Sequence, residues 1–335
     1  MTSVQVKMTL TVEAWKLLNP FRITGRTFAS ADVLVVTLEC GGLRGQGEAM
    51  GVYYRSETPE SMRQQLEAVR RQIEDGLSRE AIQSILSAGG ARNALDCAFW
   101  DLESRLLEQP VWQLAGVGAT EPLVTNFGCD ASTPEAMAST ALSYKEAIAI
   151  KLKLTGEPMD AQRVKAVRQA RPTVKLSVDA NQGFTVAHLR GLLPTLIEAQ
   201  VELIEQPYPV GNEAWLDEID LPIPVAADES IQTSADIEGA SSRFDVINIK
   251  LDKCGGLTEA LHMARECRKW GVRPMVGCMM GTSLAIAPGF IVGQLCEIVD
   301  LDAPLFLSKD RGPQIQYEDG KVSLIPGAWG DPRAT

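Results

Sequence analysis

From about residue 121 onward, short apolar runs alternate with stretches of helical spacing, and no other feature constrains the fold as much. The runs fall at 123–127, 147–154, 174–179, 201–205, 224–228, 245–250, 273–278 and 297–302. Between them lie segments such as "PMDAQRVKAVRQAR", "TVAHLRGLLPTLIEAQ" and "GGLTEALHMARECRKWG". Strand–helix alternation predicts parallel βα units, and eight of them predict a closed barrel, here over residues 119–307. Residues 1–118 read differently. "VLVVTLECGGLRGQGEA" has the pattern of a hairpin with a Gly-rich turn, and its spacing does not fit a phosphate-binding GxGxxG. Residues 57–115 read as helices, the first starting at "TPE" and carrying apolar residues at 62, 66, 69 and 73. The expected fold class is therefore α/β: a modified TIM (β/α) barrel with an N-terminal α+β capping domain. The segment 308–335 is too short for a further domain and is expected to pack back on the cap.

Composition excludes several functions. The 335 residues carry a net charge of −11 with both signs interspersed, which is not the footprint of a nucleic-acid binder. Seven cysteines without a C-x-x-C pair argue against a disulfide scaffold or zinc ribbon and for reduced thiols, hence a cytoplasmic protein. The N-terminal stretch has no apolar h-region, and no run approaches the ~18 uncharged apolar residues of a membrane span. The expected partner is a small molecule, with no nucleic acid and no membrane; the oligomeric state stays open, a homo-oligomer included.

In such barrels chemistry sits at the C-terminal strand ends. Here those ends are charged: Lys151 and Lys153 in "AIAIKLKLT", Asp179 and Asn181 in "VKLSVDAN", Glu205 in "VELIEQP", Asp228 in "IPVAADES", Lys250 in "DVINIKLDKCGG", Asp300 and Asp302 in "EIVDLDAP". Asp179, Glu205 and Asp228 come from consecutive strands and would sit side by side. Packed carboxylates repel unless a cation compensates them, and an all-oxygen set favours a hard ion, Mg²⁺ ahead of Mn²⁺ or Ca²⁺. The alternative is salt bridging to neighbouring lysines. Lys153 and Lys250 flank the trio, a layout for moving a proton on and off a carbon next to a carboxylate. A solvated lysine titrates near ~10.4 and is a poor base at neutral pH; burial and nearby positive charge, that of Lys151 and of the metal, are expected to lower it. The two histidines, His188 and His262, fall in helical stretches and are expected to face solvent, which leaves no histidine site for zinc or a catalytic triad.

"KLK", "DAN", "IEQP", "ADES" and "NIKLDKCGG", in this order, resemble the muconate-lactonizing subgroup of the enolase superfamily, and the resemblance covers nearly the whole chain. It implies Mg²⁺ on Asp179, Glu205 and Asp228, acid/base roles for Lys153 and Lys250, and an auxiliary role for Lys151. Asp300 and Asp302 are two apart and face inward, away from the trio, where two carboxylates want a cation such as a substrate ammonium. They resemble the Asp-x-Asp of dipeptide epimerases. Arg26, in "FRITGRTF", resembles an arginine that some Ala-Glu epimerases place on the glutamate side chain, as bidentate pairing would suit. Arg22, Tyr53, Tyr54 and Arg55 are expected to overhang the barrel mouth, and Cys278 and Met280 of "GCMMGTS" to line the pocket. The implied activity is Mg²⁺-dependent dipeptide epimerisation, a 1,1-proton transfer at the α-carbon of the second residue through an enediolate. L-Ala-D/L-Glu is the best substrate and peptidoglycan peptides the setting. The alternatives are an N-acylamino-acid racemase or o-succinylbenzoate synthase, and a barrel that binds dipeptides or metal without turnover.

Overall fold

The computed structural model describes residues 6–312 and 315–333. Residues 1–5, 313, 314, 334 and 335, within the expected cap and tail, lie outside the described residues. The chain opens with an antiparallel sheet of β1 (Lys7–Ile23), β2 (Arg26–Cys40) and β3 (Leu43–Ala49). Gly41 and Gly42 make the β2–β3 turn at φ +58° and +83°, a backbone shape that favours glycine, so the hairpin forms as its sequence indicates. The helix Pro59–Glu74 starts on a capping box between Thr58 and Ser61 and buries Met62, Leu66 and Ile73. A second long helix, Gly90–Leu106, lies directly on β3: a Cβ at Gly47 would meet the Ala94 carbonyl oxygen at 2.1 Å. Gly47 therefore serves close packing of helix on sheet.

β4 (Leu123–Val124) departs from expectation. It does not start the barrel but pairs antiparallel with the tail hairpin, β13 (Ile315–Glu318) and β14 (Lys321–Leu324). The first barrel strand is instead β5 (Asn126–Cys129). It is followed by β6 (Ala149–Lys153), β7 (Lys175–Asp179), β8 (Val201–Glu205), β9 (Val225–Ala227), β10 (Val246–Lys250), β11 (Arg273–Gly277) and β12 (Ile298–Asp300), each hydrogen-bonded to the next in parallel. At the seam the Leu301 N–H donates to Thr125 Oγ1 at 2.9 Å.

Helices cover the barrel, among them Asp160–Ala170, Val186–Glu198, Leu257–Lys269 and Ser283–Gly293. The connections after β8 and β12 hold only the 3₁₀ turns Glu213–Glu218 and Ala303–Phe306, so the barrel is a modified one. Strand periodicity sorts β6 as its sequence indicates. Ile150, Leu152 and Leu154 are fully buried under helices, while Ile148, just below the strand, stays 38 % exposed. The cap lies against the barrel mouth. The Thr24 hydroxyl, at the tip of the β1–β2 hairpin, is within hydrogen-bond reach of the carbonyls of Leu154 (3.1 Å) and Ala180 (2.8 Å).

Candidate active site

Strand register assembles the site. Lys153 pairs with Asp179 across β6–β7, and Asp179 with Glu205 across β7–β8. Glu205 pairs with Ala226, and Asp228 follows two residues later on the same face. On the far side Lys250, Gly277 and Asp300 form one row across β10, β11 and β12. Gly277 must lack a side chain, because a Cβ there would meet Asn248 Oδ1 at 2.7 Å and Lys250 Cε at 3.1 Å.

Asp179, Glu205 and Asp228 are buried, and one oxygen from each lies within 4.8 Å of the others. Three convergent carboxylates with an all-oxygen donor set fit a hard divalent cation. The lysines reach the same cleft from both flanks. Lys153 Nζ donates to Asp179 Oδ2 at 2.5 Å, and Lys250 Nζ to Asp228 Oδ2 at 2.6 Å. Lys151, 2 % exposed, touches Asp300 (2.7 Å), Glu205 (2.8 Å) and Asp179 (3.3 Å).

These contacts correct two expectations. Asp300 is not set apart from the trio awaiting a cation, because Lys151 already bridges it to Glu205 and Asp179. Nor do burial and Lys151 by themselves lower Lys250: burial pulls it down, but Asp228 and Glu205 outweigh it, and the protein's own groups hold it well above the ordinary lysine range. Lys151 stands high likewise, with Asp300, Glu205 and Asp179 overriding burial. Burial raises Asp228 and Asp179, yet the lysines win and hold both low. Glu205, which burial and the Asp179 charge push the same way, stands high.

A cavity of about 60 Å³ opens beside the trio, lined by Lys151, Lys153, Lys250, Asp300 and Asp302, with Cys278 and Met280 as anticipated. Asp302 accepts from the Gly128 N–H at 2.6 Å; burial and then the Asp300 charge raise its carboxyl above the usual range. Cys278 Sγ donates to the Asp300 carbonyl at 3.4 Å. Tyr54 is half-buried, and its hydroxyl has no hydrogen-bond partner among the described residues. Arg26 does not line this cavity. It is exposed and stacks on Tyr53 (4.7 Å) and Phe28 (4.9 Å). Arg22 pairs with Glu157 at 3.0 Å.

Sequence reasoning missed several members. Phe21 and Phe306, with ring centroids 4.5 Å apart, wall the cavity at Gly128. Buried Lys253 donates to Asp228 Oδ1 at 2.7 Å, and buried Asn248 donates to Glu205 Oε1 at 2.9 Å. Asn248 was readable in principle, being an even offset from Lys250 and hence an inward polar residue in mid-strand. His188 also differs from expectation. Its Nε2 lies 3.1 Å from buried Asp160 and its ring packs on Phe184, because the start of its helix faces the loop after β6; His262 is exposed as read.

The geometry agrees with comparisons to known proteins. Residues 5–116 match the family described as mandelate racemase/muconate lactonizing enzyme, N-terminal domain, and residues 135–328 match the enolase C-terminal domain-like family. The L-Ala-D/L-Glu epimerase of Escherichia coli K12 is 38 % identical over 314 residues, covering 93 % of this chain and 98 % of that one. An N-acetyl-D-glutamate racemase from a Pseudoalteromonas species is 39 % identical over 247 residues, covering 73 % of this chain and 78 % of that one. An enolase family member from Agrobacterium tumefaciens with homology to dipeptide epimerases, solved with sodium and L-Ala-L-Glu, superimposes with a TM-score of 0.92 at 37 % identity, covering 95 % of this chain and 97 % of that one. The dipeptide epimerase of Enterococcus faecalis V583, solved with Mg and L-Leu-L-Tyr, gives 0.89 at 30 % identity and 99 % coverage of both chains. Both parts of the chain thus match, in order, and it belongs to the enolase superfamily, in its mandelate racemase/muconate lactonizing enzyme branch.

Proposed function

We propose that the protein is a divalent-cation-dependent dipeptide epimerase that inverts the α-carbon of the second residue, with L-Ala-D/L-Glu as its best substrate. One observation carries the reading: Lys153 and Lys250 enter a single small cavity from opposite flanks of a buried carboxylate trio. A reaction that removes a proton from one face of a carbon and returns one to the other needs two such groups, each near the carbon. Asp179, Glu205 and Asp228 would hold Mg²⁺ (or Mn²⁺), which when bound supplies Lewis-acid stabilisation to the substrate carboxylate as the α-proton leaves. Lys153 or Lys250 takes that proton, and the opposite lysine delivers its own to the resulting enediolate. Asp302 is the candidate receptor for the dipeptide ammonium, with Asp300 beside it. The 1–118 segment acts as the cap, 119–307 as the catalytic barrel and 308–335 as the tail. Lys151, Tyr54, Cys278 and Met280 belong to the same site, and Arg26 would serve a substrate side chain that reaches out under the cap. The setting would be the cytoplasm and the turnover of peptidoglycan peptides.

A second reading has its own support. Asp300 is already paired with Lys151, and an N-acylated glutamate brings no ammonium. The relative named N-acetyl-D-glutamate racemase fits that chemistry. Proton exchange in D₂O decides between them. With Mg²⁺ present, L-Ala-L-Glu should gain deuterium at the glutamate α-carbon, and Asp302→Asn should reduce its kcat/KM by about a hundredfold, the loss expected for a buried charged hydrogen bond. Faster exchange of N-acetyl-L-glutamate, unaffected by Asp302→Asn, would establish the racemase reading instead. No exchange with either compound or a broad set of L,L-dipeptides would refute both.

A further inference from the structure

Each carboxylate of the trio is held from behind by a donor that is not one of the cleft lysines. Asp179 Oδ1 accepts from the Asn181 backbone N–H at 2.8 Å, Glu205 Oε1 from Asn248 Nδ2 at 2.9 Å, and Asp228 Oδ1 from Lys253 Nζ at 2.7 Å. The second oxygen of each faces the cleft. There Lys153 meets Asp179 Oδ2 at 2.5 Å, Lys151 meets Glu205 Oε2 at 2.8 Å, and Lys250 meets Asp228 Oδ2 at 2.6 Å.

The donors behind have little freedom. Lys253 is buried and also donates to the carbonyls of Asp228 (2.5 Å) and Asn248 (3.0 Å). Asn248 is fully buried, and its amide takes the space that a Cβ on Gly277 would need. Releasing either carboxylate oxygen would strand a buried donor, at a cost no rotation of the carboxylate recovers. A carboxylate tied this way offers a cation one oxygen rather than two.

We infer that Asn248 and Lys253 are positioning residues that keep Glu205 and Asp228 monodentate and thereby select a small six-coordinate cation over Ca²⁺. The inference rests on the trio being the metal site. Three single protein oxygens leave about half of an octahedral shell to substrate and water, which suits Mg²⁺, an ion that usually keeps several waters. Ca²⁺ takes about 6–8 oxygens at longer range and gains from bidentate carboxylates, which the donors behind the trio forbid.

The test is calorimetric titration of Mg²⁺ and of Ca²⁺ into the full-length protein and into Asn248→Leu and Lys253→Met, without substrate. The readout is the ratio of the two dissociation constants. Lys253→Met also removes a positive charge, but that acts alike on both divalent ions and cancels in the ratio. The unaltered protein should prefer Mg²⁺, and each variant should shift the ratio toward Ca²⁺ by about tenfold, the scale of losing an outer-shell partner. Melting curves without metal check that the variants fold. The measurement on the unaltered protein stands even where one does not: equal affinity for both ions there overturns the inference. So does an unchanged ratio in a folded variant, which leaves the metal reading intact. Failure of the unaltered protein to bind either ion would overturn both.

Discussion

Removing the Lys151 ammonium would leave Asp179, Glu205 and Asp300 facing one another out of water, and breaking a buried ion pair from one side costs about 3–5 kcal/mol. Lys151→Met is therefore expected to lower stability by about 3 kcal/mol in urea titrations and to lower activity. A stability change under 1 kcal/mol would mean that the three contacts carry no weight. Because Lys151 stands well above the ordinary lysine range, it stays charged through the assay range and should leave no step of its own in the pH–rate profile. Lys153 and Lys250 are separable by stereochemistry. Lys153→Ala and Lys250→Ala should each abolish epimerisation, and each should retain α-proton exchange from one stereoisomer only, the opposite one in each case. Isotope exchange followed by NMR reads this directly, and the same stereoisomer surviving in both variants would contradict lysines on opposite faces. At this scale the sequence already named the two lysines and the three carboxylates. It did not show that Lys151 and Asp300 neutralise each other, since their Nζ and Oδ2 meet across strands that are 149 residues apart.

Among the secondary elements, strand positions were the most legible, because alternation is local and strand register then carries inward residues into rows. Lys153, Asp179 and Glu205 form such a row. The boundaries of the first strand were less legible, since "LV" at 123–124 satisfies the tail sheet as well as the barrel. The helix Gly90–Leu106 is buried on nearly every side, and it carries a charge whose cost is measurable. Asp96 on that helix accepts from the Thr258 N–H (2.9 Å), the Thr258 hydroxyl (2.6 Å) and Gln83 Nε2 (2.8 Å). Burial nevertheless raises its carboxyl from 3.8 to about 6. The folded protein therefore keeps this proton up to about pH 6, whereas the unfolded chain releases it near 3.8. Between those values the folded state binds more protons, so stability falls as pH rises and the loss is complete above about 6. The loss amounts to roughly 3 kcal/mol at 1.4 kcal/mol per unit. Relative to Asp96→Asn, which lacks the titration, the wild type should lose that much between pH 4 and 7 in denaturant titrations. Parallel pH profiles would remove Asp96 as a titrating group.

Across the whole molecule, buried polar groups tie the cap sheet and helices to the barrel. Glu48 on β3 accepts from the Thr282 N–H at 2.7 Å and the Thr282 hydroxyl at 2.6 Å, and pairs with Arg311 of the tail at 2.9 Å. Asp252 accepts from the Gly51 N–H at 2.7 Å, Arg92 donates to the carbonyls of Gly255 and Cys254, and Trp329 Nε1 donates to the Gln46 carbonyl at 2.8 Å. Opening this boundary would strand all of these groups at once, so cap and barrel should unfold together. Far-UV circular dichroism and tryptophan fluorescence should trace one coincident urea transition. Glu48→Ala should shift both probes together by about 3 kcal/mol, because it leaves Arg311 without this partner. Two separated midpoints would contradict the coupling. The same contact holds the loop after β11, whose Met279 and Met280 line the cavity, so the cap reaches the pocket through the backbone as well as from above.

By itself the sequence determined the architecture and the chemistry-bearing strand ends. Both are written in local patterns: alternation within a strand, helical spacing between strands, and charged ends on six of the eight strands. Only the tertiary structure decided which charges meet. It pairs Asp300 with Lys151, sets Lys253 and Asn248 behind the carboxylate trio, packs His188 on buried Asp160, and leaves Arg26 outside on Tyr53. A side chain's partner depends on register and on packing across the barrel, and neither leaves a periodic trace in the chain.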